Sequence, residues 1–240
     1  GGRPAAGVAG TGRAGENFRG MAAISEPLFP DPRRAPRRGP NAGLVAVGGD
    51  LSTPRLLAAY HAGIFPWSAV PVTWWSPDPR GIFELTEDGL HIPRSLARKL
   101  RRDGFTVTVN QAFRAVIEGC VRQPRPGAWI SPPFVAAYTA LHGAGHAHSV
   151  EVWRDGALAG GLYGVTAGGL FAGESMFHTV ADASKVAVAA THRRLRDRGF
   201  RLFDIQMLTP TTAALGAVEI PRDEYLGRLA EAVGVECRFA

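Results

Sequence analysis

Cysteines and long hydrophobic runs are both scarce in this chain. Cys120 and Cys237 are the only two cysteines among 240 residues, and their spacing matches no metal-binding pattern. So few cysteines exclude a disulfide framework and favour a reducing, cytoplasmic setting. No run of about 18 apolar residues occurs, so no segment is predicted to cross a membrane. The first residues also lack the apolar stretch of a secretory signal.

Acidic residues are outnumbered by basic ones. The chain has 21 Asp and Glu against 27 Lys and Arg, which gives a formal net charge of +6 and a pI of about 10.0. This balance indicates an anionic partner such as nucleic acid, or only a basic surface. Residues 1–27 are rich in Gly, Ala and Arg and carry part of the excess. We predict that they form a flexible leader.

Helix signals in the first half of the chain are local. Ser52 or Thr53, followed by Pro54, predicts a helix start, and Gly63 predicts its end. Further on, Asn110 is predicted to cap a helix that reads QAFRAVIEGC. The first half is therefore predicted to be helical between short extended segments.

The second half carries the strongest pattern. From His148 the period changes to two, and Asp155-Gly156 and Gly168-Gly169 are typical hairpin turns between three strands. A helix is predicted after Asp182 or Ser184, and the apolar stretch FRLFDIQ predicts a strand after it. The predicted order is β-β-β-α-β, and the predicted fold class is α+β.

This order is compatible with the fold of acyl-CoA N-acyltransferases, in which helices flank a central mixed sheet. Those enzymes usually hold the CoA pyrophosphate with a glycine-rich turn at a helix N-terminus. The corresponding stretch here, FHTVADASK, has no glycine, so CoA is disfavoured as a donor and no cofactor is predicted. A boundary near residues 95–105 is expected to separate residues 28–95, a small N-terminal domain, from residues 96–240.

Polar residues interrupt two apolar strands. Glu174 lies in the middle of the apolar run from Leu170 to Phe177, and Asp204 and Gln206 lie two positions apart in the later strand. Residues two apart in a strand point to the same face, so an acid and an amide are expected side by side. They indicate a functional face, although a solvated strand end explains them about as well.

Aromatic and basic residues each form one cluster. Trp67, Trp74 and Trp75 lie close together and predict either a small packed core or a stacking surface for a base. A predicted helix brings several cations to one face: Arg94, Arg98, Lys99, Arg101 and Arg102. This face is either solvated or binds phosphates.

Metal and covalent chemistry find little support. His142, His146 and His148 lie close in sequence, but no fixed further ligand accompanies them, so hydrogen-bonded structural roles are favoured and no metal is predicted. Ser175 lacks the second glycine of a G-x-S-x-G turn. Direct transfer between two bound substrates is therefore the simpler chemistry.

Several blocks together resemble the bacterial leucyl/phenylalanyl-tRNA–protein transferase family. They include GLVAVGGDLSTPRLLAAYHAGIFPW, WWSPDPRGIF, RSLARKLRR, GHAHSVEVW, FAGESMF, FDIQ and LGAVEIPR, and they cover roughly residues 28–226. The resemblance implies transfer of Leu or Phe, and less readily Met, from aminoacyl-tRNA to proteins that begin with Arg or Lys, which marks them for cytoplasmic proteolysis. It also implies a small N-terminal domain followed by an acetyltransferase-like domain. We expect a monomer, because no long heptad pattern is present.

The resemblance also assigns site residues by position. It implies that Asp204 and Gln206 form the catalytic pair, that Glu174 is an acid of the substrate cavity, and that the Arg94–Arg102 cluster binds tRNA. The side-chain pocket of the donor would include Leu162, Phe171, Met176 and Phe203. The aromatic positions around the tRNA 3′ end would be Tyr60, Trp67, Trp129 and Tyr138.

An amide is barely basic, so we expect Gln206 to position the attacking amine by accepting a hydrogen bond from it. Asp204 would orient Gln206 and stabilise the developing positive charge, while the proton leaves through a ribose hydroxyl or water. Glu174 is the candidate carboxylate for a cationic acceptor.

The match to the family has departures. Thr211, Thr212, Ala213 and Ala214 replace a His-Leu-Ala-Ser run, and Ala128 stands where Thr is usual. Two rival functions are left open: an acyl-CoA N-acyltransferase, and a non-catalytic RNA-binding module that uses the basic helix and the aromatic residues.

Overall fold

The chain folds around two β-sheets, and the computed structural model describes residues 28–94, 96–98, 104–123 and 129–240. A three-stranded sheet has the order β1-β3-β2, and a seven-stranded sheet has the order β10-β4-β9-β8-β7-β6-β5. Every pair in the larger sheet is antiparallel except β8 with β9, which is parallel. The predicted α+β class and the central mixed sheet flanked by helices are confirmed. The predicted leader, Lys99, Arg101, Arg102 and Ala128 lie outside the described residues.

The strands and helices have the following bounds. The strands are β1 Leu44–Val47, β2 Phe65–Ala69, β3 Val72–Trp75, β4 Arg80–Phe83, β5 Thr106–Val109, β6 Ala147–Arg154, β7 Ala157–Ala167, β8 Leu170–His178, β9 Leu202–Gln206 and β10 Val218–Ile220. The helices are α1 Thr53–His61, α2 Phe113–Arg122, α3 Pro132–Gly143, α4 Ala183–Asp197, α5 Pro210–Ala214 and α6 Arg222–Val233. A short 3-10 helix spans Pro32–Arg34.

The predicted order β-β-β-α-β is confirmed as β6-β7-β8-α4-β9. Asp155 and Gly156 both have positive φ, 51° and 75°, and join β6 to β7 in the tight turn that this dipeptide favours. Gly168 has φ +56° between β7 and β8, and α4 begins directly after Asp182. Local turn chemistry therefore determined this part of the fold.

Two apolar cores lie against the large sheet. One core contains Tyr60 of α1, Tyr138 of α3 and Tyr225 of α6 together with the small sheet. The other contains Phe83, Phe203 and Leu195, the last of which is on α4. Gly63 connects α1 to the first core: its φ is +76°, and a Cβ there would lie 2.6 Å from Leu226 Cδ2. Only glycine allows this close approach at a positive φ.

Strand β4 occupies an inner position in the large sheet that was not predicted from its sequence. It lies between β10 and β9 in the large sheet, so four residues of the predicted N-terminal domain, 28–95, contribute to the sheet of the predicted domain 96–240. The strand is only four residues long and buried throughout, so it has no alternating pattern. The division at residue 95 stays a prediction.

The predicted cap of α2 is wrong. Asn110 has φ +59°, and its Oδ1 accepts a hydrogen bond from the backbone N–H of Ser149. The helix begins later, at Phe113, and the residue at its N-cap is Ala112, two positions after Asn110. Glu151 of β6 instead accepts from the Ala112 N–H at 3.2 Å. A carboxylate from a distant strand has taken the capping role that Asn110 was expected to fill.

Among the described residues, no helix combines the length and apolar character that crossing a bilayer requires.

Candidate active site

A cavity lies where the parallel pairing of β8 and β9 ends. The last paired residues are Ala172 and Asp204, and both strands continue beyond them. A cavity of about 130 Å³ is lined by both continuations and by α4 and α5. Its lining consists of Phe83, Leu162, Gly173, Glu174, Ser175, Met176, Val188, Phe203, Ile205, Met207, Thr209 and Thr212. The cavity is thus mostly apolar with one carboxylate.

Most of the predicted side-chain pocket meets in this cavity. Leu162, Met176 and Phe203 line it, as does Glu174, and Leu162 pairs directly with Met176 across β7 and β8. Phe171 does not line the cavity. It is fully buried, with its ring centroid 5.6 Å from that of Phe203. Phe171 therefore supports the wall of the pocket from behind.

Glu174 is buried at the edge of the cavity and is already hydrogen-bonded. Its Oε1 accepts from Gln206 Nε2 at 2.8 Å, and its Oε2 accepts from the Tyr138 hydroxyl at 3.0 Å. Burial raises the pKa of Glu174 to about 7, against the opposing effect of hydrogen bonds from Tyr60 and Tyr138. Both protonation states of this acid are therefore accessible near neutral pH.

Tyr60 and Tyr138 form hydrogen bonds to the carboxyl group of Glu174. Their hydroxyl oxygens are 2.7 Å apart, and both residues are almost completely buried. Burial, and then the charge of Glu174, raises the pKa of each phenol well above 10.0, so both stay neutral. Of the four predicted aromatic positions, these two therefore hold Glu174 and do not line an open cleft.

Asp204 accepts four hydrogen bonds within the protein. Arg80 donates from Nε at 2.9 Å and from Nη2 at 2.6 Å, the Tyr225 hydroxyl donates at 2.9 Å, and the backbone N–H of Gln206 donates at 2.8 Å. Asp204 is 1% exposed. Burial opposes the charge of Arg80, but Asp204 more than offsets it and keeps the pKa of Arg80 above its usual value. This carboxylate is paired with a cation and fixed in place.

Gln206 has an unusual backbone. Its φ is +65°, a left-handed conformation that side chains other than glycine rarely adopt. The register between β4 and β9 shifts beside it, because Gly81 pairs with Gln206 and Ile82 pairs with Asp204. The strict period of two therefore fails here. Asp204 contacts Gln206 through its backbone, and the side-chain amide of Gln206 turns to Glu174.

The orientation of the Gln206 amide follows from its partner. The ionised form of Glu174 only accepts hydrogen bonds, so with this form the NH₂ group of Gln206 faces Glu174. The amide oxygen, Oε1, accepts no hydrogen bond from any residue that the structure describes. Local strain of this kind, with an acceptor left unused, is typical of functional sites.

Arg80 and Tyr225 are site residues that the sequence did not reveal. Arg80 is buried against two rings, 4.3 Å from the Tyr225 centroid and 4.9 Å from the Phe65 centroid. Its Nη1 donates to the Gly63 carbonyl. It lies 124 positions from Asp204, so no local spacing could have linked them. The one available signal was an arginine at the start of a short apolar strand.

A second cleft brings two of the predicted tryptophans together. It has a volume of about 460 Å³ and is lined by Trp67, Ser68, Ala69, Val70, Trp129, Ser131 and Pro133. The Trp129 centroid lies 6.4 Å from that of Tyr138, the residue that binds Glu174. Trp74, by contrast, is fully buried. The packed-core interpretation is therefore confirmed for Trp74, while a stacking surface for a base at Trp67 stays a prediction.

The remaining candidates are the basic cluster and the histidines. Arg94 and Arg98 are exposed, and the other three cations lie outside the described residues. His142 Nδ1 is 2.8 Å from the Ala147 carbonyl oxygen, and His148 Nδ1 is 2.9 Å from Asn110 Nδ2. Within the described ranges, no group of three or more His, Cys, Asp or Glu is arranged to hold a metal.

Together, the fold and the cavity define an α+β protein with an enzyme-like site, in which two buried acids hold one strained glutamine beside an apolar pocket. Two family models match the chain. Residues 49–78 match the N-terminal domain of leucyl/phenylalanyl-tRNA protein transferase, and residues 84–230 match the leucyl/phenylalanyl-tRNA protein transferase model itself. The chain belongs to this family.

Curated relatives agree over most of the chain. The leucyl/phenylalanyl-tRNA–protein transferase of Nitratidesulfovibrio vulgaris strain DP4 is 51% identical over 210 residues, which cover 85% of this chain and 87% of that protein. The protein of the same name from Citrobacter koseri is 52% identical over 203 residues, with 84% and 85% covered. Among solved structures, L-PGS from Bacillus licheniformis matches 66% of this chain and 52% of its own at 13% identity. Its TM-score is 0.40, too low to assign the fold.

Proposed function

We propose that this chain moves Leu or Phe, and less readily Met, from aminoacyl-tRNA to the N-terminal Arg or Lys of acceptor proteins. The observation that carries the proposal is the hydrogen bond from Gln206 to Glu174 at the edge of an apolar cavity. The relatives, which are 51% and 52% identical in sequence, are named for this activity. In the cytoplasm the new N-terminus would direct the acceptor to proteolysis.

The apolar cavity suits the side chain of the donor amino acid. Leu162 and Phe203 give it apolar walls, and Met176 is unbranched and adapts to different shapes. Apolar pockets discriminate by only about 1–3 kcal/mol per methylene. Such a pocket would accept Leu and Phe and admit Met less well.

The cleft between Trp67 and Trp129 suits the terminal adenosine of the tRNA. Aromatic side chains stack on bases without regard to sequence, and both tryptophans are partly exposed there. Arg94 and Arg98, with Lys99, Arg101 and Arg102 beside them in sequence, would neutralise phosphates of the tRNA.

The chemistry needs alignment and one proton transfer. The neutral amine of the acceptor attacks the ester carbonyl carbon, the C–N bond forms, and the bond from that carbon to the ribose oxygen breaks. The nitrogen gives up a proton, which reaches the ribose oxygen directly or through water. An ester is already activated, so positioning supplies much of the acceleration. No covalent enzyme intermediate is needed.

Gln206 would position the amine through its unused Oε1. Glu174 holds the NH₂ group, which leaves Oε1 for the substrate, where it would accept a hydrogen bond from the amine. Glu174 has acceptor sites beyond its two bonds and would also face the cationic acceptor residue. Because Arg80 neutralises Asp204, we assign Asp204 the role of holding Gln206 and not that of stabilising positive charge.

The proposal also includes the type and division of the domains, the oligomeric state and the location of the protein. A parallel strand pair that ends early and opens a substrate cavity supports an acetyltransferase-like domain at residues 96–240, preceded by a small domain at residues 28–95. We also propose a cytoplasmic monomer.

An acyl-CoA donor is disfavoured by the residues at the start of α4. Asp182 stands at the N-cap of α4, with its Oδ1 accepting from Lys185 Nζ at 2.7 Å. A pyrophosphate at this helix start would meet a carboxylate where the acyl-CoA enzymes offer glycine backbone. A purely RNA-binding role leaves the buried Glu174–Gln206–Asp204 arrangement without a purpose.

One assay separates these functions. The protein is incubated with labelled leucyl-tRNA and a peptide that begins with Arg, and in parallel with labelled acetyl-CoA. Label in the peptide from the tRNA alone supports the proposal, and an Nα-acetylated copy of the peptide should stay unlabelled. Transfer from acetyl-CoA, or RNA retention with no transfer, would refute it.

A further inference from the structure

A groove on the outer side of α4 carries cations that no described carboxylate neutralises. Its volume is about 530 Å³, and its lining comprises Glu87, Leu90, Ile92, Phe105, Val107, Val186, Ala189, Ala190, His192, Arg193 and Arg196. Arg193 and Arg196 are three positions apart on α4, so they share one face of the helix. Both are exposed.

These two arginines lack the carboxylate partner that several other arginines have in the described part of the chain. Arg37 pairs with Asp78 and Asp223, Arg80 with Asp204, and Arg228 with Glu84 and Glu224. Arg193 and Arg196 form no ion pair with any described residue. The one carboxylate along the groove is the exposed Glu87. The groove therefore offers two unpaired guanidinium groups.

The groove adjoins the basic cluster found in the sequence. Its second wall includes Leu90 and Ile92, which lead directly to Arg94 and Arg98. Leu96 is 3% exposed and belongs to the same apolar core as Val186 and Leu195 of α4. The segment with Arg94 and Arg98 therefore packs on the same core as α4, and these two exposed arginines follow closely in sequence after the groove residues Leu90 and Ile92.

The floor is suited to sugars and bases. Phe105 is partly buried there, and Val107 is 41% exposed on the edge strand β5. Guanidinium groups match phosphate geometry with two parallel hydrogen bonds. A groove that combines unpaired guanidinium groups with apolar side chains fits a nucleic-acid strand, because the arginines would bind its phosphates and the apolar groups would contact its sugars and bases.

The groove and the cavity share a helix. Val186 lines the groove, Val188 lines the cavity, and His192 packs edge-on against Phe83 of the cavity at 6.3 Å. A strand bound in the groove would lie on the opposite side of α4 from the bound aminoacyl group, at a distance from the reacting atoms.

We propose that the α4 groove, with Arg193 and Arg196, binds the sugar-phosphate backbone of the tRNA body away from its 3′ end. The inference rests on the proposed function for the identity of the RNA. It adds a contact surface that is separate from both the aminoacyl cavity and the tryptophan cleft.

The test compares the Arg193→Gln/Arg196→Gln variant with wild type in binding uncharged tRNA over a range of salt concentrations. Each lost phosphate contact lowers the slope of log K against log salt by about 0.7–0.9, so the double variant should lose roughly 1.5. Arg193→Lys/Arg196→Lys keeps the charges and should keep most of the slope. An unchanged slope in the Gln variant overturns the proposal.

A matched control makes the same change elsewhere. Arg114 and Arg122 flank another groove on α2, but Glu118 lies 2.6 Å and 4.0 Å from them. Arg114→Gln/Arg122→Gln should leave the slope nearly unchanged, and an equal loss in this variant would mean that only net charge matters, which also overturns the proposal. Release of the α4 variant from anionic vesicles, with tRNA binding intact, would overturn it in favour of a membrane.

Transfer assays separate this inference from the proposed function. With leucyl-tRNA, the α4 variant should raise KM and leave kcat unchanged. With phenylalanyl-adenosine, which lacks the tRNA body, it should match wild type. A protein that transfers from neither donor would refute the proposed function, and the binding slopes would still decide the groove.

Discussion

Gln206 Nε2 donates a 2.8 Å hydrogen bond to Glu174 Oε1 beyond the point where β8 and β9 stop pairing. This side-chain bond links β8 and β9 at a point where their backbones no longer hydrogen-bond to each other. Asp204 holds the other side of the same glutamine through its backbone N–H at 2.8 Å. Glu174 therefore holds the side chain of Gln206, and Asp204 holds its backbone N–H. Together they fix the residue in its left-handed backbone conformation.

Replacement of the glutamine should affect turnover more than binding. In Gln206→Ala, the acceptor amine loses the oxygen that positions it, while the donor pocket is untouched. We expect kcat to fall about 100-fold, the typical cost of a small misplacement of a reacting group, with KM for leucyl-tRNA within about threefold. Steady-state kinetics with an Arg peptide measure both.

Asp204→Asn should show the same split, since it weakens the hold on Gln206. Variants with near-normal turnover would rule out this assignment for both residues.

Arg80 should be among the residues most needed for stability. Arg80→Met leaves Asp204 buried with its charge uncompensated, and breaking a buried ion pair in this way costs about 3–5 kcal/mol. Denaturant unfolding gives the free energy directly. Arg228→Met is the matched control, because its pairs with Glu84 and Glu224 are partly exposed and such pairs are worth about 0–1 kcal/mol. Equal losses in the two variants would contradict the importance of burial.

Local signals predicted the middle of the fold well. Asp155-Gly156 and Gly168-Gly169 are typical hairpin dipeptides, and Asp155, Gly156 and Gly168 have positive φ here, so β6, β7 and β8 followed from short stretches of sequence. Of the two predicted starts of the next helix, Asp182 and Ser184, Asp182 is the N-cap of α4, although its side chain makes no cap hydrogen bond. Such features depend on a few neighbouring residues and are visible in a single sequence.

Long-range features left no such mark. Arg80 and Asp204 meet across 124 positions, and β4 is too short and too buried to show alternation. The expected cap at Asn110 failed because Glu151, from a strand formed much later in the chain, binds the helix start. The pocket residues Leu162, Met176 and Phe203 were available only through resemblance to the family, since their sequence positions share no spacing.

Glu174 should make stability depend on pH. Burial raises its pKa to about 7 from an ordinary 4.5, so between these values the folded protein keeps a proton that the unfolded chain has lost. Stability from this group is fully present below about 4.5 and is lost as pH rises through 7, by at most about 1.4 kcal/mol per pH unit.

The comparison is between wild type and Glu174→Gln, which cannot titrate. The free energy of unfolding of wild type, relative to this variant, should fall from pH 4.5 to pH 7.5. Met176→Leu changes a neighbour without a titrating group and should run parallel to wild type. A difference between wild type and Glu174→Gln that stays constant over this range would show that Glu174 does not titrate there.

The shape of the cavity should set the preference for the donor. Met176 and Leu162 face each other across β7 and β8 at the wall of a cavity of only about 130 Å³. Met176→Phe puts a rigid ring into this space, which hinders a phenylalanyl group more than a leucyl group. We expect the ratio of kcat/KM for phenylalanyl-tRNA to that for leucyl-tRNA to fall about tenfold, since a change of one methylene in an apolar pocket is worth about 1–3 kcal/mol. Met176→Leu nearly conserves volume and should leave the ratio within about threefold.

The two donors compete for one Arg peptide in the same reaction, so the ratio is measured directly. If Met176→Phe leaves the ratio unchanged, the aminoacyl side chain binds somewhere other than this cavity.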